Sequence, residues 1–409
     1  MDAPGRSVRP PTVLFQITAI GKNTRALEES VRSVLYWIRR TPRLQYRYLI
    51  WLLIEPEGYA SAPALYDSLE RAGVRVLVVP KTYDTPRHTR GKARALQFAA
   101  DTRAHLGLSD ATVWVYHQDE ETCVGQDTLL GIAEFIRDDR AFIGSGIILY
   151  PLDWSGIPSH VQELTRSFDD FRVLDSMIRP GNPMAGFHGS HFLVRADLED
   201  SVGWDTPGYS PAEDLTFEIR VRARYGAVFG LLRGFAYEKG AFTAADQLRQ
   251  RRRWVHGVLH ALRYSPDLPP SRRITVAYSA LSWFSALPSV AVLVASALFH
   301  YGPLLLFTSL FTGFIWMSMI TSYIEGYRLH SRYIDRSVSL PRLFVHGLVG
   351  ALVDVLAPWM ALFTRPSSRD FIPKDSPRLE ETGRWAPGGA PPSPALPARG
   401  RPAPAESGA

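Results

Sequence analysis

The chain is poor in cysteine: Cys123 is the only one in 409 residues. A single thiol excludes an internal disulfide and a cysteine-built metal centre. Blocks of like charge are also missing. The formal net charge is +6 and the isoelectric point about 9.4. The arginines behind that excess are scattered, and many lie at 249–273 and 328–342, beside apolar runs. That placement suits the surface of an anionic membrane, so membrane lipids are expected partners and no nucleic acid is. Residues 1–11 lack the apolar core of a secretory signal. They read as a short disordered lead, which leaves the following residues on the cytoplasmic side. No internal repeat is visible.

Charge itself disappears after Arg273. Segments 274–299 and 303–324 contain no charged side chain, and each is long enough to cross a bilayer. The short link between them makes a hairpin. Arginines before it (Arg272, Arg273) and after it (Arg328, Arg332) place both ends in the cytoplasm. A third segment, 343–363, contains Asp354. A charge at mid-membrane is costly, so this segment either spans or lies at the interface; spanning is the expectation taken. Residues 266–365 therefore read as a membrane region, and 366–409, rich in Pro, Ala, Gly and Ser, as a disordered tail. The mean hydropathy of −0.07 fits a soluble domain averaged with such segments.

Before the membrane region the pattern alternates. Apolar runs at 12–20, 48–54, 74–79 and 111–116 read as strands. Periodic stretches at 24–40, 62–71 and 91–105 read as helices, the first capped by Asn23. Pro56 and Gly58 read as the close of the second strand. Alternating strands and helices predict a parallel α/β sheet with helices on both faces, and ligands beyond the carboxyl ends of its strands. Further on, 141–149, 187–195 and 227–237 read as strands, 154–178 as a helix pair, and 211–225 and 243–264 as helices.

Three clusters carry chemistry. Asp119-Glu120-Glu121 follows the fourth strand. On an extended segment Asp119 and Glu121 point to one side and can hold Mg²⁺ or Mn²⁺, hard cations that take oxygen ligands. Glu120 then faces away. The alternative is a solvated acidic turn. Glu213-Asp214 opens a helix; acidic residues there suit the helix dipole, but Asp214 can also serve as a general base toward a hydroxyl. Gln250-x-x-Arg253-Trp254 precedes the first apolar segment. A juxtamembrane basic helix on anionic lipid is one reading. The other sets Arg253 on a diphosphate and Trp254 under a sugar ring. Lys92, in Arg90-Gly91-Lys92 at a helix start, can hold phosphate. His188-Gly189-Ser190-His191 reads as the wall of a sugar or phosphate site, with metal binding by the two histidines as the alternative.

The order Arg90-Gly91-Lys92, Asp119-Glu120-Glu121-Thr122, Gly189-Ser190, Glu213-Asp214, Gln250-x-x-Arg253-Trp254 resembles glycosyltransferase family 2 of the membrane-integrated type. The Asp-Glu-Glu-Thr form, Phe15-Gln16-Ile17-Thr18 and Glu238-Lys239 are most similar to its Egghead branch, β-1,4-mannosyltransferases that use GDP-mannose on a glucosylated lipid. The resemblance covers about residues 12–363. It implies a GT-A-type nucleotide-sugar-binding α/β domain over 12–265, followed by C-terminal transmembrane helices in the plasma membrane. It implies an inverting transfer of a hexose to a lipid-linked or glycan acceptor. Asp119 and Glu121 would carry the metal, with Asp119, Glu120, Lys92 and Arg253 around the donor. Asp214 would be the base beside Glu213, and Gly189, Ser190, Gln250 and Trp254 would meet the acceptor. Glu55 stands where many members of the family carry a nucleobase-contacting Asp. The rival expectations are a processive polysaccharide synthase using a UDP-sugar and a non-catalytic nucleotide-sugar-binding protein.

Overall fold

A computed structural model describes residues 10–42, 44–150, 163, 165–168, 170, 188–241, 243–264, 269–300, 302–334, 339–365 and 374. One eight-stranded sheet runs through it, in the order β3-β2-β1-β4-β7-β6-β8-β5. β1 (Thr12–Ala19) lies at the centre of a parallel group with β2 (Arg47–Ile54), β3 (Arg75–Val78) and β4 (Val113–Asp119). β1 and β4 are buried along nearly their whole length, as expected of strands covered on both faces. Thr18 pairs in register with Asp119. The carboxyl ends of β1 and β4 therefore coincide, and the acidic cluster opens at that edge.

Helix α1 (Thr24–Arg40) starts where the side chain of Asn23 accepts from the Ala26 amide at 3.2 Å, and ends with Arg39 and Arg40 in its last turn. Both features complement the exposed groups of helix ends. α2 (Pro56–Ser61) and α3 (Pro63–Arg71) follow β2. Pro56 does not simply close the strand: it is the first residue of a helix, where its missing N–H costs nothing. α4 (Lys92–His105) begins after Gly91, whose φ is +70°. α5 (Gln126–Asp138) and the two-residue β5 (Cys123–Val124) come next.

The parallel order expected of the first four strands holds, and the later strands mix directions. β7 (Phe192–Arg195) runs antiparallel to both β4 and β6 (Ile143–Leu149), and β5 runs antiparallel to β8 (Phe229–Tyr237). β7 leads directly into α6 (Ala196–Val202), and α7 (Glu213–Tyr225) precedes β8. The predicted helix pair at 154–178 lies mostly outside the described residues.

α8 (Ala244–Tyr264) carries the basic cluster and packs on the C-terminal helices. The expected span 274–299 is divided into α9 (Pro270–Trp283) and α10 (Ala286–Leu298). Pro288 is the reason: it has no N–H to give and its ring collides with the carbonyl of Phe284. At 1.5 Å per residue each piece falls short of a bilayer core of about 30 Å. α11 (Gly302–Ile334) and α12 (Leu340–Leu362) are longer. Two stretches, Gly302–Arg328 and Leu343–Leu362, are long and apolar enough to cross a membrane. α10 and α11 are joined by the Thr312 hydroxyl, which donates to the Ser289 carbonyl at 3.1 Å.

Candidate active site

The acidic and basic clusters converge on one cavity of about 1340 Å³. That exceeds the ~300–1,000 Å³ of a typical small-molecule pocket. At its base, the carboxyl end of β4 meets the start of α4. Lys92 pairs with Asp119, donates to the Gly189 carbonyl at 2.8 Å and stands 3.5 Å from Glu213. Burial alone would pull the Lys92 ammonium down, but Asp119, Glu213 and Asp214 outweigh it and hold it above the ordinary lysine range. Gly189 has to be small. A Cβ there would lie 2.8 Å from Lys92 Nζ, 3.3 Å from Asp214 Oδ2 and 3.5 Å from Glu213 Oε1.

Glu213 and Asp214 form the first turn of α7. Burial raises the Glu213 carboxyl against the pull of Lys92. Asp214 lines the cavity, and its Oδ1 accepts the Leu215 amide at 2.8 Å. α8 packs against this turn at Gly257, where a Cβ would stand 2.4 Å from that of Ala212. This glycine lets the helix with Gln250, Arg253 and Trp254 approach the helix with Glu213 and Asp214. Gln250 is buried and lines the cavity. Its Oε1 has no hydrogen-bond partner among the described residues, which suits a group waiting for a ligand hydroxyl.

Several expected site residues also make bonds within the protein. Glu120 lines the cavity, and its Oε2 accepts the Ile20 and Gly21 amides at 3.1 and 3.0 Å, which ties the β4 end to the loop after β1. Burial and then Glu121 push its carboxyl up to about 7. Ser190 is buried; its hydroxyl bonds Thr122 Oγ1 at 2.6 Å and accepts from the Asp119 amide at 3.4 Å. It braces the acidic turn. Glu55 lines the cavity edge but is paired with Arg94 at 2.6 Å. Trp254 lines the cavity, and its ring lies under two guanidinium groups, Arg251 at 4.2 Å and Arg166 at 4.8 Å. The two histidines do not form a pair. His191 is fully buried, bonded to the Tyr116 hydroxyl at 2.8 Å, and burial holds it down at about 4. His188 pairs with Asp170 and faces the cavity.

Sequence reasoning missed other features. Asp354 of α12 stands out in the sequence as a costly charge, but its partner does not; it is paired with Arg251 Nε at 2.9 Å, which answers the cost of a carboxylate in an apolar helix. Lys374, in the stretch expected to be a disordered tail, is buried beside Glu121 at 3.3 Å and Glu238 at 3.5 Å. The Glu238-Lys239 pair had been noticed as a mark of resemblance, but nothing in the tail's composition singled out Lys374.

No group of three His, Cys, Asp or Glu side chains gathers as a metal site among the described residues. Asp119 and Glu121 nonetheless line one cavity and present only hard oxygen donors. That fits Mg²⁺ or Mn²⁺, which commonly take one or two protein carboxylates and complete their shell from substrate phosphates and water.

The sheet and its acidic edge define an α/β domain of the GT-A type, joined to apolar C-terminal helices. The chain belongs to glycosyl transferase family group 2, whose pattern matches residues 114–325. Its sequence lies with the Egghead branch. It is 32% identical over 234 residues to the beta-1,4-mannosyltransferase egh of Drosophila melanogaster, covering 55% of this chain and 49% of that protein. It is 31% identical over 223 residues to the beta-1,4-mannosyltransferase bre-3 of Caenorhabditis elegans, covering 51% and 46%. The chain thus spans about half the length of the curated relatives it matches. Among solved structures it is similar to S. aureus TarS 1-349, with 12% identity, coverage of 87% and 92%, and a TM-score of 0.39. The same protein in complex with UDP-GlcNAc scores 0.37, with 12% identity and coverage of 86% and 92%. Overlays at that level add nothing to the fold read from the sheet itself.

Proposed function

We propose that the protein is an inverting hexosyltransferase that moves mannose from GDP-mannose to a hydroxyl of a lipid-linked acceptor, with its catalytic domain on the cytoplasmic face of the plasma membrane. The observation that carries this reading is the continuity of the cavity. Asp119, Lys92 and Asp214 stand at its base, while Phe314, Ile315 and Met319 of α11 line its other part. An amphiphile fits such a space: a polar head at the carboxylates, an apolar tail along helices suited to a bilayer. The curated relatives are named β-1,4-mannosyltransferases, which supports mannose as the sugar.

In this account Lys92 and Arg253 hold the diphosphate, where cations offset its charge. Asp119 and Glu121 would hold Mg²⁺ or Mn²⁺, which supplies further neutralisation of the leaving diphosphate. Asp214 accepts the proton of the acceptor hydroxyl as that oxygen attacks the anomeric carbon. Attack opposite the departing diphosphate inverts that carbon, and an α-linked donor then gives a β-linked product. Gln250 and Trp254 position the acceptor. Arg251 and Arg166 hold the Trp254 ring in place, so a sugar meets the ring beside them.

The test is nucleoside diphosphate release by detergent-purified protein. It is run with Mn²⁺ or Mg²⁺ over a panel of nucleotide sugars, with and without membrane lipids, beside Asp214→Asn. Lipid-dependent release from GDP-mannose, lost in the variant, is expected. Nucleotide binding without release from any donor would instead establish a non-catalytic binder.

A further inference from the structure

Lys374 is buried inside the cavity that holds the acidic turn. Its ammonium lies 3.3 Å from Glu121 Oε1 and 3.5 Å from Glu238 Oε2. Its backbone carbonyl accepts the Asn23 side chain at 2.8 Å, and Asn23 is the residue that caps α1. Glu238 is fixed in turn, because its other oxygen accepts from the Thr122 hydroxyl at 2.7 Å. Two carboxylates from different elements, the β4 turn and the end of β8, thus converge on one cation supplied by a residue far away in sequence.

Burying an ammonium is expensive unless carboxylates surround it. Glu121 is one of the two carboxylates assigned above to a divalent cation, so this inference rests on that part of the proposed function. An ammonium and a divalent metal ion compete for the same oxygens, and their like charges cannot share one small space. Arg166 adds further positive charge close by, since it too lowers the Glu238 carboxyl. We propose that Lys374 is a built-in counter-ion of the acidic cleft, and that a divalent cation must displace it from Glu121 and Glu238 to bind. Metal-free protein keeps its cleft neutralised; loading the cation releases Lys374.

The test is Mn²⁺ binding by full-length, nucleotide-free protein in detergent, read from the electron paramagnetic resonance signal of free Mn²⁺. Wild type is compared with Lys374→Met and Lys374→Arg, each first shown to elute as wild type does. The methionine variant is expected to bind Mn²⁺ roughly ten-fold more tightly or better, and the arginine variant, which keeps the charge, close to wild type. A second readout is acetylation of Lys374 followed by mass spectrometry: slow without metal, faster at saturating Mn²⁺. Equal Mn²⁺ affinity in all three proteins, or acetylation indifferent to Mn²⁺, would overturn the role of Lys374. Absence of Mn²⁺ binding in all three would overturn it together with the cation site. Nucleotide release by wild type is measured separately, so failure here is distinct from failure of the transferase reading.

Discussion

Arg103→Met removes the guanidinium at the centre of a charge cluster that lies beneath the active site. Arg103 is fully buried; it stands 2.9 Å from Glu199, donates to Gln16 at 3.1 Å and also pairs with Asp200. His117 lies 3.1 Å from Glu199, and the Trp204 indole donates to the same carboxylate at 2.7 Å. The cluster joins β1, β4, α4 and α6. Two of these carry catalytic candidates: α4 begins at Lys92 and β4 ends at Asp119. Burial pushes the Glu199 carboxyl up, but Arg103 and His117 outweigh it and hold it at about 2, against 4.5 when unperturbed. A depression of that size is worth about 3 kcal/mol above the unfolded pKa, and is lost as pH falls through about 2. Without Arg103, burial wins and the carboxylate is stranded. Breaking a buried pair from one side costs about 3–5 kcal/mol, a large part of the ~5–15 kcal/mol that holds a domain folded. Thermal unfolding in detergent at neutral pH should show the midpoint lowered by about 10 °C. Adding Glu199→Gln to Arg103→Met should recover part of that loss, because the stranded charge is gone. A double variant no more stable than the single one would refute the reasoning.

Other outcomes follow from single positions. Asp214→Asn should lower transfer by about 10²–10⁴-fold with nucleotide binding kept, as measured by product formation beside nucleotide titration. Gly257→Ala should destabilise by about 1–3 kcal/mol, since the added carbon would sit 2.4 Å from Ala212 Cβ; thermal unfolding reads it. Asp127 is pushed by burial to about 6 from 3.8, although it accepts the Phe235 amide at 2.7 Å. Its folded form keeps a proton that the unfolded form has lost, so it costs stability as pH rises from about 4 to 6. Asp127→Asn should abolish that part of the slope in unfolding measured across this range.

Much of the site was legible in the sequence because its residues lie at element ends. Asp119 closes β4, Lys92 opens α4 and Glu213-Asp214 open α7, all places marked by a change from apolar run to polar turn. The Asn23 cap and the periodicity of α1 were equally plain. The parallel direction of β1 to β4 was legible too, but that of the later strands was not. β7 is a short apolar run like any other, and nothing local tells that it pairs antiparallel with β4 and β6. Pro56 marked the end of β2 as expected, and it also opens a helix. Pro288 misled, because it divides a run that hydropathy alone reads as continuous. Ser190 and Glu120 line the cavity while their side chains also hydrogen-bond to the protein, through partners about 70 and 100 residues away in sequence. Lys374, and the partner of Asp354, were unreadable because each pairing joins elements distant in sequence.

The most direct measurement is transfer of radiolabelled mannose from GDP-mannose into organic-extractable lipid by purified wild-type protein, followed by nuclear magnetic resonance of the product's anomeric proton. The account predicts label in a glycolipid, one added sugar, and a β linkage. Label confined to free mannose, a polymer, or an α-linked product would contradict it.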